Sequence, residues 1–229
     1  MFLNEYAFDQ RVSSFMSGVY GWMSCALAVT ASAAYYVASV PSIFVYVQQP
    51  SVLMILLFGQ LAFVFGLAFF LNRMSYITAL VLFLLYSFSL GVTLSSIFFV
   101  YTHTSIISTF LSTALMFAAM SMYGYITKSD LTTIGNMSFM VLVGLLIGMI
   151  VNMFLQSAQF DYFLSGIGVI IFVLLTAYDT QKLKQLARGL LVENQSIEKV
   201  TIFGALTLYL DFINLFLFLL RFMGKRTEK

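Results

Sequence analysis

Seven runs of mainly apolar residues, each about 20 long and so able to cross a bilayer, follow one another along this chain with short polar links between them. They fall at 18–39, 52–71, 76–100, 105–126, 136–156, 161–182 and 201–222. Lipid offers backbone amides no partner, so a spanning segment is a helix or part of a closed barrel. The runs are continuously apolar without strict alternation, which excludes the barrel. The expected fold is an all-α integral membrane protein: a seven-transmembrane-helix bundle, one domain over residues 1–229, with six helices around the last. Composition agrees. The chain is 61% hydrophobic and 9% charged, with mean hydropathy +0.98, where a soluble domain carries about 25% charged residues.

The links set the order and the orientation. Pro41 and Pro50 bracket the first; Asn72 and Arg73 make the second, Thr102 to Thr104 the third, Thr127 to Gly135 the fourth, Gln156 to Asp161 the fifth and Lys184 to Lys199 the sixth and longest. Arg11, Arg73, Lys128, Lys182, Lys184, Arg188 and Lys199 lie in the N-tail or in or next to the even-numbered links, and the odd-numbered links hold no Lys or Arg. The positive-inside rule then makes the N-terminus cytoplasmic. Seven crossings put the C-tail outside although it carries Arg221, Lys225, Arg226 and Lys229. A re-entrant last segment would resolve that conflict, but its 23 residues suit a full crossing, and seven spans are expected. The opening MFLNEYAFDQR lacks the basic start of a cleaved signal, so the first span is expected to stay in the mature protein. Net charge +2 gives nucleic acid no purchase, and a single cysteine, Cys25, excludes an internal disulfide and is expected to be a buried, inert thiol. Gly144 with Gly148, and Gly91 with Ser95, are small-residue pairs suited to close helix packing.

Two carboxylates stand out because a charge at membrane depth is costly and therefore marks function. Asp211 lies within the last run, VTIFGALTLYLDFINLFLFLLRF, and Asp179 closes the run before it, in TAYDTQKLK. The two helices are antiparallel, and Asp179 reaches the level of Asp211 if its helix continues through Thr180 to Leu186. Two carboxyl groups in contact in a low-dielectric interior cannot easily both ionise, so they share a proton. Protonated, such a pair latches its helices; ionised, it repels and attracts a divalent cation. The plainer alternative has each aspartate capping or pairing separately. Arg73 is the candidate counter-charge, with snorkelling to the interface as its competing role. Asn214 lies three residues beyond Asp211 on the same face, and Gln60 and Asn152 are further polar residues at depth, better suited to interhelical hydrogen bonds than to ligation. His103, the one histidine, sits in a short turn and receives no role. HExxH, GxxxxGK[ST] and GxGxxG are all absent, which leaves zinc proteolysis and nucleotide hydrolysis without support.

MSMYGYITKSDLTTIGNM (120–137), GVIIFVLLTAYDTQKLK (168–184) and FGALTLYLDFINLFLFLLR (203–221), with LYSFSLGVTLSSIFFVYTHTSI (85–106) and VYGWM (19–23), resemble the Bax-inhibitor (transmembrane Bax-inhibitor-motif) family, and most closely its bacterial inner-membrane members. The resemblance implies a seven-helix bundle with a central last helix and a pH-sensitive calcium leak controlled by an aspartate pair. Those aspartates map onto Asp179 and Asp211, and the family's gating arginine of the second helix onto Arg73. Some members carry a glutamate in the second helix where Gln60 stands here, which removes one negative charge from the implied path. No cofactor is implied, calcium being the permeant ion and a transient ligand of the pair. The partners implied are the bilayer, calcium or protons, and in some members a membrane protease or another membrane protein.

Three functions compete. The first is a cation leak gated by the pair. The second, an intramembrane aspartyl protease, needs GxGD and PAL motifs, whereas residues 208–211 read Leu-Tyr-Leu-Asp and the only prolines are Pro41 and Pro50, so an enzyme is not expected. The third is a non-conducting regulator that binds other membrane proteins and needs no buried site.

Overall fold

The computed structural model describes residues 2–70, 73–192 and 197–227. Asn72 of the second link and Lys229 of the tail lie outside the described residues. Nine helices occur among the described residues: α1 (Phe2–Ser39), α2 (Pro41–Val47), α3 (Pro50–Phe70), α4 (Tyr76–Leu94), α5 (Ile97–Val100), α6 (His103–Ile126), α7 (Thr132–Leu155), α8 (Ala158–Val192) and α9 (Glu198–Met223). Seven stretches among them are long and apolar enough to cross a membrane, so the chain is an all-α, seven-span membrane protein.

The spans match the seven apolar runs, and α1, α7 and α8 outgrow theirs. α1 begins well before residue 18 because Val12, Phe15, Met16 and Val19 are buried at helical spacing and carry its apolar face back through the polar N-tail. Pro41 starts the short α2 inside the first link. The third run breaks at Ser95 and Ser96, separating α4 from α5; Ser95 Oγ donates to Val92 O at 2.8 Å, a local bond that competes with the helix ladder. α8 continues to Val192 through much of what the sequence reading takes as the sixth link, since KLKQLARGLL contains good helix formers and no proline. His103 is the first residue of α6 rather than a turn residue, with Thr102 as its cap accepting from Ser105 N.

Two compact units make up the chain. The first comprises residues 1–100 and 186–209, the second 101–185 and 210–229, so α8 and α9 contribute to both. In the first unit α1 and α3 pack on α4. Gly91 of α4 is essential to the close approach of α1, because a Cβ there would collide with the backbone oxygen of Thr30. α3 is joined to α4 by Gln60, whose Nε2 donates to Thr93 Oγ1 at 2.7 Å and to Ser89 O at 3.2 Å. In the second unit α6 packs on α8 through Gly124, where a Cβ would strike the backbone of Ala177. Gly148 contacts Leu164, but Gly144 has open space around it, so the GxxxG of α7 does not act as a pair within the chain. α9 is the most enclosed span, 72% of its most apolar stretch being buried, against 6% for α3 and 11% for α7. The outer faces of α3 and α7 carry large apolar side chains because their surroundings are lipid. Cys25 is exposed on α1, contrary to the expectation of a buried thiol, since an apolar position on a spanning helix can face lipid as readily as core.

Candidate functional site

The centre of the second unit is where α8 runs beside α9. Asp179 meets Asp211, Gly168 packs on Phe218, and Tyr162 stacks on Phe222; falling numbers on one helix match rising numbers on the other, so the two are antiparallel. The extension of α8 beyond Asp179 places the two carboxyl groups beside each other. Asp211 is 5% exposed, and its Oδ2 is buried with no hydrogen-bond partner. Phe212, the next residue, is edge-on to Phe110 and Phe117, each with centroids 5.4 Å away.

Four consecutive side chains hold this part of α8, each pointing about 100° from the last as the 3.6-residue turn dictates. The Tyr178 ring covers Gly135 of α7, which has no side chain to obstruct it. Asp179 faces α9. Thr180 Oγ1 donates to Ser121 Oγ of α6 at 3.4 Å. Gln181 binds the link between α6 and α7 with both ends of its amide, Oε1 accepting from Leu131 N at 2.9 Å and Nε2 donating to Ser129 O at 2.8 Å. One turn on, Lys184 Nζ donates to Tyr125 O at 2.7 Å and lies 4.6 Å from the centre of that ring. The YDTQ tetrapeptide is therefore a clamp on three neighbours that sets Asp179 against a fourth.

Of the remaining candidates, Asn214 turns its amide to its own helix, donating to Leu210 O at 2.8 Å. Gln60 is engaged in the α3–α4 contact of the first unit. Asn152 caps the end of α7, its Oδ1 accepting from Ser157 N at 3.1 Å, instead of bridging helices. Arg73 is exposed, ahead of α4, and belongs to the first unit while both aspartates belong to the second. Lys182 lies one turn from Asp179 on α8, close enough for its charge to bear on that carboxyl, with Nζ 5.5 Å from the centre of the Tyr178 ring. Lys182 and Gln181 are the residues that sequence reasoning passed over. The i,i+3 spacing of Asp179 and Lys182 was the available signal for the first; nothing in the sequence marked the second. Among the described residues no three His, Cys, Asp or Glu gather to hold a metal. Two carboxylates supply few of the six to eight oxygens that calcium takes, so the pair is suited to brief contact with a cation and to holding a proton.

The family described as "Inhibitor of apoptosis-promoting Bax1" has a sequence profile that matches residues 12–228. The chain is 48% identical over 217 residues to the inner membrane protein YbhL of Escherichia coli K12, spanning 94% of this chain and 93% of that one. It is 42% identical over 215 residues to an uncharacterized protein of Borreliella burgdorferi, with 93% of each chain covered. Against an uncharacterized membrane protein of Streptococcus pyogenes, identity is 40% over 147 residues, covering 64% of this chain and 63% of that protein.

Proposed function

The chain belongs to this Bax-inhibitor family of multi-pass membrane proteins, and from that premise we propose that it is a pH-sensitive leak for cations, calcium foremost, controlled by Asp179 and Asp211. The observation that carries the reading is the meeting of two carboxyl groups at membrane depth with Asp211 Oδ2 buried and unpartnered. A buried acceptor without a partner costs about 1–3 kcal/mol, and burial of this kind persists where the group has a task. With one proton shared, the pair bonds α8 to α9 and the path is shut. When that proton leaves, two negative charges repel across the helix contact and attract a cation. Flux should therefore rise with pH. The protein acts without a cofactor and without covalent chemistry, and calcium is its cargo.

The clamp around YDTQ supports this reading by fixing α8 on three sides, so that repulsion is felt between α8 and α9. Lys182 is the cation beside the pair that can modulate it, and Arg73 is a candidate gate on the strength of the family resemblance alone. Gln60, already committed to Thr93 and Ser89, serves as a helix contact, and Asn214 as a bond within α9. Its likeness to YbhL makes it a protein of an inner membrane; the orientation we propose for it, from the distribution of Lys and Arg, has the N-terminus cytoplasmic and the C-tail outside. Support for a full seventh crossing comes from the tail's own bonds: Lys225 O accepts from Thr102 N at 3.1 Å, which seats the tail on the third link, one of those without Lys or Arg.

Calcium entry into proteoliposomes of the purified protein tests conduction. Entry above that of empty liposomes supports a leak. Wild-type protein no leakier than empty liposomes at any pH would leave the alternative, a non-conducting regulator of other membrane proteins, as the function.

A further inference from the structure

The basic residues that end the chain run against the charge rule that orients the rest, and the leak does not use them. The segment after α9 is pinned down. Besides the bond to Thr102, Lys225 N donates to Ser105 Oγ at 2.9 Å, Gly224 N donates to Leu220 O at 2.9 Å, and Arg226 pairs with Tyr101 in an isolated antiparallel bridge. A Cβ on Gly224 would come within 2.9 Å of the Tyr101 ring, so the fold-back needs glycine there. Arg226 is thereby held at a defined place, on the same side as Arg221 from the last turn of α9.

A cleft of about 330 Å³ opens beside them, lined by Arg221, Arg226, Asp161 from the first turn of α8, Asn152 from the end of α7, Tyr101 and Met153. Two guanidinium groups and one carboxylate around one opening give 2 − 1 = +1 charge. Guanidinium forks match phosphate oxygens in charge and geometry, and a carboxylate beside them accepts from an ammonium group. Asn152 Oδ1 is already bonded to Ser157 N, so what its side chain can present to a ligand is the NH2 donor, which also suits an anion. α7, the least enclosed helix of this unit, lines the cleft with Met149, Asn152 and Met153, and at this end of the helix Met153 is 73% and Phe154 84% exposed. Tyr162 stacked on Phe222, centroids 4.6 Å apart, sits at the same end, as aromatic side chains do at the headgroup level.

We propose that this cleft binds a phospholipid headgroup carrying both a phosphate and an amine, the phosphate on Arg221 and Arg226, the amine on Asp161, and the acyl chains along Met153 and Phe154. The bilayer rather than the aqueous phase is the source, because the helix that lines the cleft with Met149 and Met153 turns large apolar side chains outward at this end. The proposal stands apart from the leak.

Full-length protein, delipidated in detergent micelles, would be offered phosphatidylethanolamine, phosphatidylglycerol or inorganic phosphate, with bound lipid counted by native mass spectrometry. Phosphatidylethanolamine should be retained in preference to phosphatidylglycerol, and inorganic phosphate should not displace it. Arg221→Gln and Arg226→Gln should each lower retention about tenfold, as loss of one charge-assisted hydrogen bond does. Asp161→Asn should remove the preference for phosphatidylethanolamine and keep phosphatidylglycerol binding. Equal retention by wild type and both arginine variants, or no preference between the lipids in wild type, overturns the proposal. Displacement by inorganic phosphate would make the cleft a site for free anions and overturn the lipid assignment; this arm uses wild type alone and decides even where a variant does not fold.

Discussion

Tyr209 and Asp211 stand two residues apart on α9, belong to different compact units, and end in opposite ways. Tyr209 is fully buried, edge-on to Phe83 and Tyr86, with its hydroxyl 2.6 Å from Thr30 Oγ1. Thr30 Oγ1 in turn points its one proton at the carbonyls of Ala26 and Ser87, both at 2.9 Å, so Tyr209 is the donor between the two hydroxyls. The hydroxyls of Tyr209, Thr30 and Ser87 are each paired, and a satisfied buried network makes a core rigid. Asp211 faces a second carboxyl group and leaves one oxygen unpartnered. The contrast separates two uses of a polar group at membrane depth. A neutral hydroxyl network holds a shape, and an incompletely satisfied acidic pair stores a change of state.

Substitutions can break or sharpen this contrast. The largest effect is expected at Gly124→Ala, where the new Cβ must push α6 away from the Ala177 backbone and so disturb the seat of Asp179. Overpacking of this kind costs about 1–3 kcal/mol, and both unfolding in micelles and the pH response of flux should change. Gln181→Leu comes next. It strands the buried Leu131 N, for about 2 kcal/mol, and should raise flux at acidic pH because one side of the clamp is gone. Tyr209→Phe removes one hydrogen bond of the satisfied cluster and should cost about 1 kcal/mol while leaving the pH profile of flux unchanged. A flattened profile in that variant would erase the distinction between the clusters.

The smallest effect is expected at Asp130, exposed ahead of α7. Its Oδ1 accepts from Thr132 N at 2.9 Å and Thr132 Oγ1 at 2.6 Å, and these bonds hold its carboxyl below the usual range. A lowered value means that its contribution is complete above the ordinary carboxylate range and disappears as pH falls through the lowered one. Wild type should therefore outlast Asp130→Ala in neutral thermal unfolding by a small margin that closes in acid.

What was legible in the sequence follows from what a bilayer enforces. Each crossing must be a continuous apolar run, so all seven could be counted, and Asp179 and Asp211 stood out against them. Where water or protein surrounds a helix the rule weakens. The start of α1 and the end of α8 are helical with polar sequences, so apolar runs did not reveal them. The extension of α8 through Thr180 was nevertheless permitted by its composition, and it is what brings Asp179 to Asp211. Gln181 was not legible because its partners are backbone atoms of Ser129 and Leu131, some 50 residues away in sequence. Arg73 was chosen by sign and by resemblance, whereas Lys182 acts on Asp179 through helical spacing alone.

The central claim is that the carboxyl pair is the pH-sensitive latch. Calcium flux of Asp179→Asn and Asp211→Asn proteoliposomes, followed beside wild type from acidic to mildly alkaline pH, tests it most directly. An asparagine keeps a hydrogen bond across the pair and cannot ionise. The account predicts wild-type flux that rises with pH and variant flux that stays low and flat. Variants that keep the wild-type rise would contradict it.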